Sequence, residues 1–596
     1  MARDIPAGTD TTATVEAEDF VRGVLERRGD HDWYRVELDP GRYVFRLSGT
    51  GDAPVGDPLL ILRDENGDEV RRNDDSYVAE SRIEYTVASR ETYFLDVRGK
   101  GPYTVPKDDE YAQPGRKVGH ATGDFTLSVN RLDGSPVDAI AGAQWLEERV
   151  VEVFFVRAGG KGDIFDGGRT VRSAGWNGYQ IDQAMAALDA FSRVCDIDFR
   201  RTDRRADAEL DLMTYGRRTE LGGYFQPPGT VGEGTGIFAA GPDAYIEQSW
   251  ADGPGGALAR GAAGWELLLH EFGHALGLAH PHDPGFGSVV MRGIGPATKT
   301  YDPVYDPGKF GLNGHLNTVM SYLQEGADPF KWPPDHGYAL GPMAFDIAAL
   351  QQTYGATRAH HRDDSYTLPT RDARGTGYLC LWDTGGEDTI RAGRTERACT
   401  IDLNAATLAY EPGGGGFLSS PRGIRGGFTI ANGVEIENAA GGGGDDRLVG
   451  NELANRLAGG AGADTLRGRA GADRMSAGDD DDRDVFLYGS PRDSGPTVAE
   501  ADRIGRFDHH NGPREGTWDR LDLSGLDADP DARGDQELRF VRAFSAPDGG
   551  EPPGQVRAER QGDDIHLLVD LDGDRAADMR LILVDLPRVT AQDCLL

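Results

Sequence analysis

The densest group of chemically capable residues is His270-Glu271-Phe272-Gly273-His274-Ala275-Leu276-Gly277-Leu278-Ala279-His280. Residues four apart on a helix share a face, so His270 and His274 can aim two imidazoles at one metal ion while Glu271 stands beside them without ligating it. Gly277 can end that helix in a left-handed conformation that a Cβ penalises, which lets the chain turn and brings His280 in as a third ligand. His282, two residues on, is an alternative third ligand that the spacing disfavours and that reads as a loop residue. Three protein ligands leave a fourth tetrahedral position for water, as in catalytic rather than structural zinc sites. Zinc lowers the pKa of water towards about 7, and Glu271 stands where it can take the proton and pass it to a leaving amine. Hydrolysis at a carbonyl is the expected chemistry.

A second set of residues repeats instead of clustering. Four nine-residue units follow one another without gaps: Gly441 to Val449 and Gly459 to Arg467 fit G-G-x-G-x-D-x-U-x, and Gly450 to Ala458 and Gly468 to Ser476 are looser copies. The glycines, Gly441, Gly442, Gly444, Gly459, Gly460, Gly462, Gly468 and Gly471, accept turn conformations closed to other residues, while turn carbonyls and the position-six Asp446, Asp464 and Asp473 face Ca²⁺. Leu448, Leu457, Leu466 and Met475 occupy position eight and point inward, so the units stack as a parallel β-roll. Turns then alternate between two edges. Asp482 is expected to continue the row of Asp446 and Asp464, and Asn455 beside Asp473 predicts weaker calcium binding on the second edge. Asp570-Leu571-Asp572-Gly573-Asp574, with Asp578, reads equally as a further Ca²⁺ loop or as an acidic hairpin turn.

These groups need elements to carry them. From about Asp10 to Leu132 short strands (33–38, 43–47, 59–62, 83–87, 93–97 and 125–129) are separated by turns such as Asp39-Pro40-Gly41, the pattern of a β-sandwich. Between 133 and 357 strand and helix alternate, with a strand at 151–155 and helices expected at 181–194, about 257–276 and 342–351. Beyond Gly355 the chain is glycine-rich and β-like. The domains expected are thus a tail at 1–9, a β-sandwich at 10–132, an α+β catalytic domain at 133–357 and a roll-bearing domain at 358–596 with repeats at 441–486. Over 596 residues this is multidomain.

Composition narrows the partners. The net charge of −36 favours cations over polyanions and argues against nucleic acid. No apolar run is long enough for a transmembrane segment, and the first residues lack a signal-peptide core. The four cysteines make no disulfide framework; Cys380 and Cys399 could pair, but buried thiols are the expectation.

The histidine motif resembles that of the metzincin metalloproteases, and His280-Pro281 after Leu276-Gly277-Leu278-Ala279 resembles the serralysin branch. Asn317-Thr318-Val319-Met320-Ser321-Tyr322 resembles the serralysin Met-turn. That resemblance implies a zincin fold, Met320 as a structural floor beneath the zinc ligands, and Tyr322 as a residue that can ligate zinc and stabilise the oxyanion. The nine-residue units resemble the RTX domain of serralysins, and Asp32-Trp33-Tyr34, Gly41-Arg42-Tyr43, Asp57-Pro58-Leu59 and Gly123-Asp124-Phe125 resemble the jelly-roll-like pre-peptidase C-terminal module. Asp593-Cys594-Leu595-Leu596 resembles the ending of proteins exported by a type I secretion apparatus. Together these imply a secreted, extracellular zinc endopeptidase stabilised by Ca²⁺, acting as a monomer on protein or peptide substrates. The chain departs from the serralysin pattern between His280 and Met320, including Met291-Arg292-Gly293 and Tyr301-Asp302-Pro303, which leaves the cleft shape open. A calcium-dependent surface-binding protein is the rival from another class, and a zinc hydrolase of a non-protein substrate the second.

Overall fold

The computed structural model describes the whole chain except residues 1–4, 17–18, 50–54, 56–57, 74–79, 101–102, 105–116, 119–121, 132–134, 143–144, 147, 164–169, 216–222, 226–233, 240–255, 284–287, 296–302, 324–334, 510–516, 528–535 and 546–553. Tyr301 and Asp302 lie outside the described residues. The chain forms two compact units, Met1–Thr357 with Leu408–Gly415, and Arg358–Thr407 with Gly416–Leu596.

The first unit opens with two four-stranded antiparallel sheets. One runs Asp19–Leu25, Gly123–Arg131, Gly41–Gly49, Glu80–Val87, and the other His31–Leu38, Glu91–Gly99, Pro58–Arg63, Glu69–Asn73. Alternate residues such as Tyr34, Val36 and Leu38 turn inward with period two and meet Phe45, Leu47, Leu60, Leu95 and Phe125 in one apolar core.

The same unit continues with a five-stranded sheet in the order Asp198–Thr202, Val150–Phe155, Leu210–Tyr215, Thr235–Ala239, Gly223–Phe225. All neighbours are parallel except Gly223–Phe225, which runs antiparallel at the edge. Among the described residues three α-helices accompany it: α1 (Gly178–Ser192), α2 (Ala263–Ala275) and α3 (Ala344–Tyr354). Asn177 and Gln180 close a capping box at the start of α1.

The second unit is mostly strand. Arg447–Val449, Arg456–Ala458, Thr465–Arg467 and Arg474–Ser476 fall nine residues apart; the first two pair in parallel with the strands eighteen residues on, and the last two with Val485–Leu487 and Asp502–Gly505, so successive units alternate between two sheets. Leu448, Leu457, Leu466 and Met475 are buried between those sheets. This is a parallel β-roll, and it reaches past the repeats. Coils without the glycine pattern extend it on both sides, through Asn438–Ala440 and Cys399–Asp402 before and Val485–Leu487, Asp502–Gly505 and Arg520–Asp522 after. Cys594–Leu595 adds a last parallel strand. All four cysteines are buried free thiols. Among the described residues no helix is long and apolar enough to cross a membrane.

Candidate active site

Helix α2 carries His270, Glu271 and His274 on its buried length. It ends where expected from the glycine: Gly277 has φ +92°, and the Leu278 N–H returns to the Gly273 carbonyl at 2.8 Å. The released chain is then pinned, because Ala279 N–H donates to Ile140 at 2.8 Å and Gly142 N–H to Gly277 at 2.8 Å. His280 is thereby delivered to the other two histidines.

The three rings converge through one atom each. His280 Nε2 lies 3.1 Å from His270 Nε2 and 3.0 Å from His274 Nε2. The opposite nitrogens are tied: His270 Nδ1 donates to the Val319 carbonyl at 2.8 Å and His274 Nδ1 to the Leu278 carbonyl at 2.9 Å, while His280 Nδ1 faces Asp283 Oδ2 at 3.0 Å. A carbonyl can only accept, so those two Nδ1 atoms carry the protons and their Nε2 atoms present bare lone pairs. Burial, then the charge of His280, pushes the His270 pKa down to about 3 and that of His274 well below the usual range, so both rings are neutral. Acceptors gathered this closely repel unless a cation lies among them. Ligand nitrogens about 2.05 Å from a tetrahedral zinc stand about 3.3 Å apart, close to the spacing seen, so the donor set fits zinc.

Glu271 sits beside this point with Oε2 buried and without a hydrogen-bond partner among the described residues. Burial pushes its pKa up to about 8, opposed by the Phe225 backbone N–H, and a cation next to it would favour the ionised form. Tyr322 is half exposed, with its hydroxyl 3.0 Å from His280 Nε2. Met320 lies under the helix: a Cβ on Gly273 would come within 2.6 Å of its sulfur. His282 lies in the turn after His280, as expected of a loop residue, but it is buried, with its ring stacked on His280 at 5.0 Å between centroids.

Three supporting residues escaped the sequence analysis. Asp283, three after His280, is a local signal that goes unused. Asp346 is fully buried at the start of α3, where it accepts from Thr318 Oγ1 (2.6 Å), Val319 N–H (2.8 Å) and Met343 N–H (2.9 Å), clamping the Met-turn to the helix. Gly223, on the edge strand, passes so close that a Cβ there would meet Glu271 Cγ at 2.7 Å.

In the roll the position-six side chains form two ladders. Asp464 Oδ1 accepts the Asp446 N–H at 2.8 Å, Asp484 Oδ1 the Asp464 N–H at 2.7 Å, and Asp519 Oδ1 the Asp484 N–H at 3.0 Å. On the other edge Asp473 accepts from Asn455 at 2.7 Å and Asp502 from Asp473 at 2.9 Å. The row therefore continues through Asp484, not Asp482: the turn before Val485–Leu487 is two residues longer than the repeat, and Thr465 pairs with Val485. Each glycine sits where the coils crowd; a Cβ on Gly459 would meet Asp464 Oδ2 at 2.2 Å, and one on Gly471 the Leu453 carbonyl at 2.2 Å. Gly441, Gly442, Gly444, Gly460, Gly462 and Gly468 are equally confined. Asp464 Oδ2 and Asp473 Oδ2 are buried without partners among the described residues, oxygen donors that suit Ca²⁺. Burial, then neighbouring carboxylates, pushes Asp464 up to about 8 and Asp473 to about 7. A further acidic cluster, Asp364, Asp383 and Asp388, joins residues too far apart in sequence to be seen as one, and Asp388 Oδ2 is likewise orphaned. At Asp570, Asp572 and Asp574 each carboxylate accepts backbone N–H groups of its own loop.

The chain is similar to known proteins. Residues 345–596 match the family described as Peptidase M10 serralysin C terminal. The metallopeptidase AprA of Pseudomonas marginalis is 31% identical over 423 residues, covering 69% of this chain and 78% of that protein. Serralysin of Photorhabdus luminescens is 36% identical over 297 residues, 47% of this chain and 53% of that one, so this match spans about half of the relative's length. The pre-peptidase C-terminal domain of a Bacillus anthracis collagenase is similar over 20% of this chain and 92% of its own at 15% identity, with a TM-score of 0.14 that carries no argument. From the relationship to AprA and the match of the C-terminal region, the chain belongs to the serralysin-type metalloproteases.

Proposed function

We propose that the chain is a secreted, calcium-stabilised zinc endopeptidase in which His270, His274 and His280 hold zinc and Glu271 is the general base. The observation that carries this reading is the convergence of three Nε2 atoms beside a buried carboxylate that has an oxygen to spare. Zinc bound there supplies a Lewis acid that polarises the scissile carbonyl and acidifies water. Glu271 takes the proton of the attacking water and delivers it to the departing amine. The Tyr322 hydroxyl donates to the oxygen on which negative charge develops. The edge strand Gly223–Phe225 lies over Glu271 and offers backbone groups along which an extended peptide can add as a further strand.

The paired N-terminal sheets act as a β-sandwich domain of residues 10–132, the segment 133–357 as the zincin-type catalytic domain, and 358–596 as the calcium-binding domain with the export signal at its end. Asp446, Asp464, Asp473 and Asp484 would supply Ca²⁺ ligands with the turn carbonyls. Where calcium is scarce, crowded carboxylates keep the roll unfolded for export; calcium outside the cell orders it. Mass spectrometry of a mixed proteome incubated with the purified chain tests the substrate class. Internal cleavages that vanish on zinc chelation are expected, and an unchanged proteome beside turnover of a non-protein ester or amide would overturn the reading.

A further inference from the structure

The second unit is interrupted by Leu408–Gly415, which leaves it and packs as part of the first. This arm closes on itself, with the Leu408 N–H on the Gly414 carbonyl at 2.9 Å and the Gly414 N–H on the Glu411 carbonyl at 3.1 Å. Leu408 is held at φ +57°, a left-handed conformation that a residue with a Cβ keeps only where its surroundings enforce it. The end of the arm is confined as well, since a Cβ on Gly415 would run into the side chain of Asn317, the first residue of the Met-turn. Backbone determined this closely points to a task for the arm.

Its contacts lead to His280. That residue follows the end of α2, so its place is set by its chain neighbours, whereas helix geometry places His270 and His274. The Ala279 N–H before it donates to the Ile140 carbonyl, and the Pro281 carbonyl after it accepts the Met291 N–H, both at 2.8 Å. Each of these two supports is tied to the arm. Ser135 caps the short helical turn Pro136–Ala139 that leads to Ile140, and its Oγ donates to the Leu408 carbonyl at 2.9 Å. Arg292, next to Met291, donates its N–H to the Tyr410 hydroxyl oxygen at 3.1 Å and lays its guanidinium over the Tyr410 ring, 4.9 Å from the centroid. Arg292 lies in the stretch between His280 and Met320 where the chain departs from the serralysin pattern, so that pattern does not account for the tie.

We propose that Leu408–Gly415 is a brace that positions His280 for zinc, with Tyr410 as its positioning residue, an inference that rests on the zinc reading above. By joining the two segments that grip Ala279 and Pro281, the brace fixes the backbone of His280, while Asp283 fixes its ring. Zinc–nitrogen distances hold to within about 0.2 Å, whereas loops move by more than that. A third ligand delivered by a loop therefore needs a support that the two helical ligands do not.

The test uses the full chain with calcium present and reads zinc affinity, by competition with a chromophoric chelator, and the ligand-field absorption of the cobalt-loaded form. Affinity about tenfold lower is expected for Tyr410→Ala, and a smaller loss for Tyr410→Phe, which keeps the ring beneath Arg292, and for Ser135→Ala. The cobalt bands should move or weaken in the same order. Because a brace needs both ends, Ser135→Ala/Tyr410→Phe should lose little more than the worse of its two single variants. Circular dichroism of the metal-free forms checks folding, and Tyr410→Phe and Ser135→Ala decide the matter should Tyr410→Ala not fold. Native zinc affinity and an unchanged cobalt spectrum in the folded variants would overturn the proposal, as would losses that multiply in full in the double variant. A native chain that takes up no zinc would overturn the zinc reading, and the brace with it.

Discussion

The histidine pocket and the roll are both suited to divalent cations, yet they stand in opposite relation to them. In the pocket His270 and His274 are neutral, and the orientation of the three candidate ligands is set from outside, by the Val319 and Leu278 carbonyls and by Asp283. The fold prepares the site, and the ion enters it. In the roll each coil lays a buried carboxylate on the backbone of the previous one, and the pKa values of Asp464, Asp473 and Asp519 are pushed up to about 8, 7 and 7, first by burial. Here the candidate ligands are themselves the structural elements, and without a cation they oppose the packing they belong to. The lesson is that a catalytic cation needs a rigid frame with one place open, whereas a structural cation can be part of the frame.

That contrast can be broken most forcefully by removing calcium. A calcium-selective chelator should cost the roll about 4 kcal/mol for every ion held at a thousand times its Kd, read as lost β-sheet ellipticity and a lower unfolding midpoint. A roll indifferent to chelation would erase the distinction. The pocket's frame is probed next, without zinc, through Asp346. Burial raises its pKa to about 6, so the fold favours the neutral acid. The stability it contributes is full below the unfolded value near 4 and is lost as pH rises through 6, a change of up to about 3 kcal/mol. Chemical denaturation across that window should show stability falling with pH more steeply in the native chain than in Asp346→Asn, the difference between the two being this contribution. Asp283→Ala, which frees His280 Nδ1, should lower zinc affinity or turnover by about 10–100-fold, measured by competition with a chromophoric chelator. The smallest effect belongs to the roll's second edge, where Asn455→Asp should shift the calcium midpoint of folding to lower concentration by a few-fold.

The same contrast governs what sequence reveals. His270, Glu271, His274, Gly277 and His280 fall within eleven residues because helix periodicity and one left-handed glycine suffice to converge three rings. The roll announces itself through a nine-residue period, since every coil meets the same steric demands. What lay hidden was non-local or non-periodic. Asp346 acts on Thr318 from 28 residues away, and Gly223 reaches Glu271 only because a sheet edge passes over α2. A two-residue insertion moved the acidic row from Asp482 to Asp484. The flanking coils, such as Asn438–Ala440 and Asp502–Gly505, keep the strand pairing but not the glycines, so their turns carry no signature.

The central claim is that three imidazoles hold one zinc while Glu271 moves the proton. Zinc content and casein cleavage, measured on the same preparations of native chain and Glu271→Gln, test it together. One zinc per chain in both, with cleavage in the variant reduced by about 10²–10⁴-fold, is the expected result. Equal cleavage by the two, or native cleavage from metal-free protein, would contradict it.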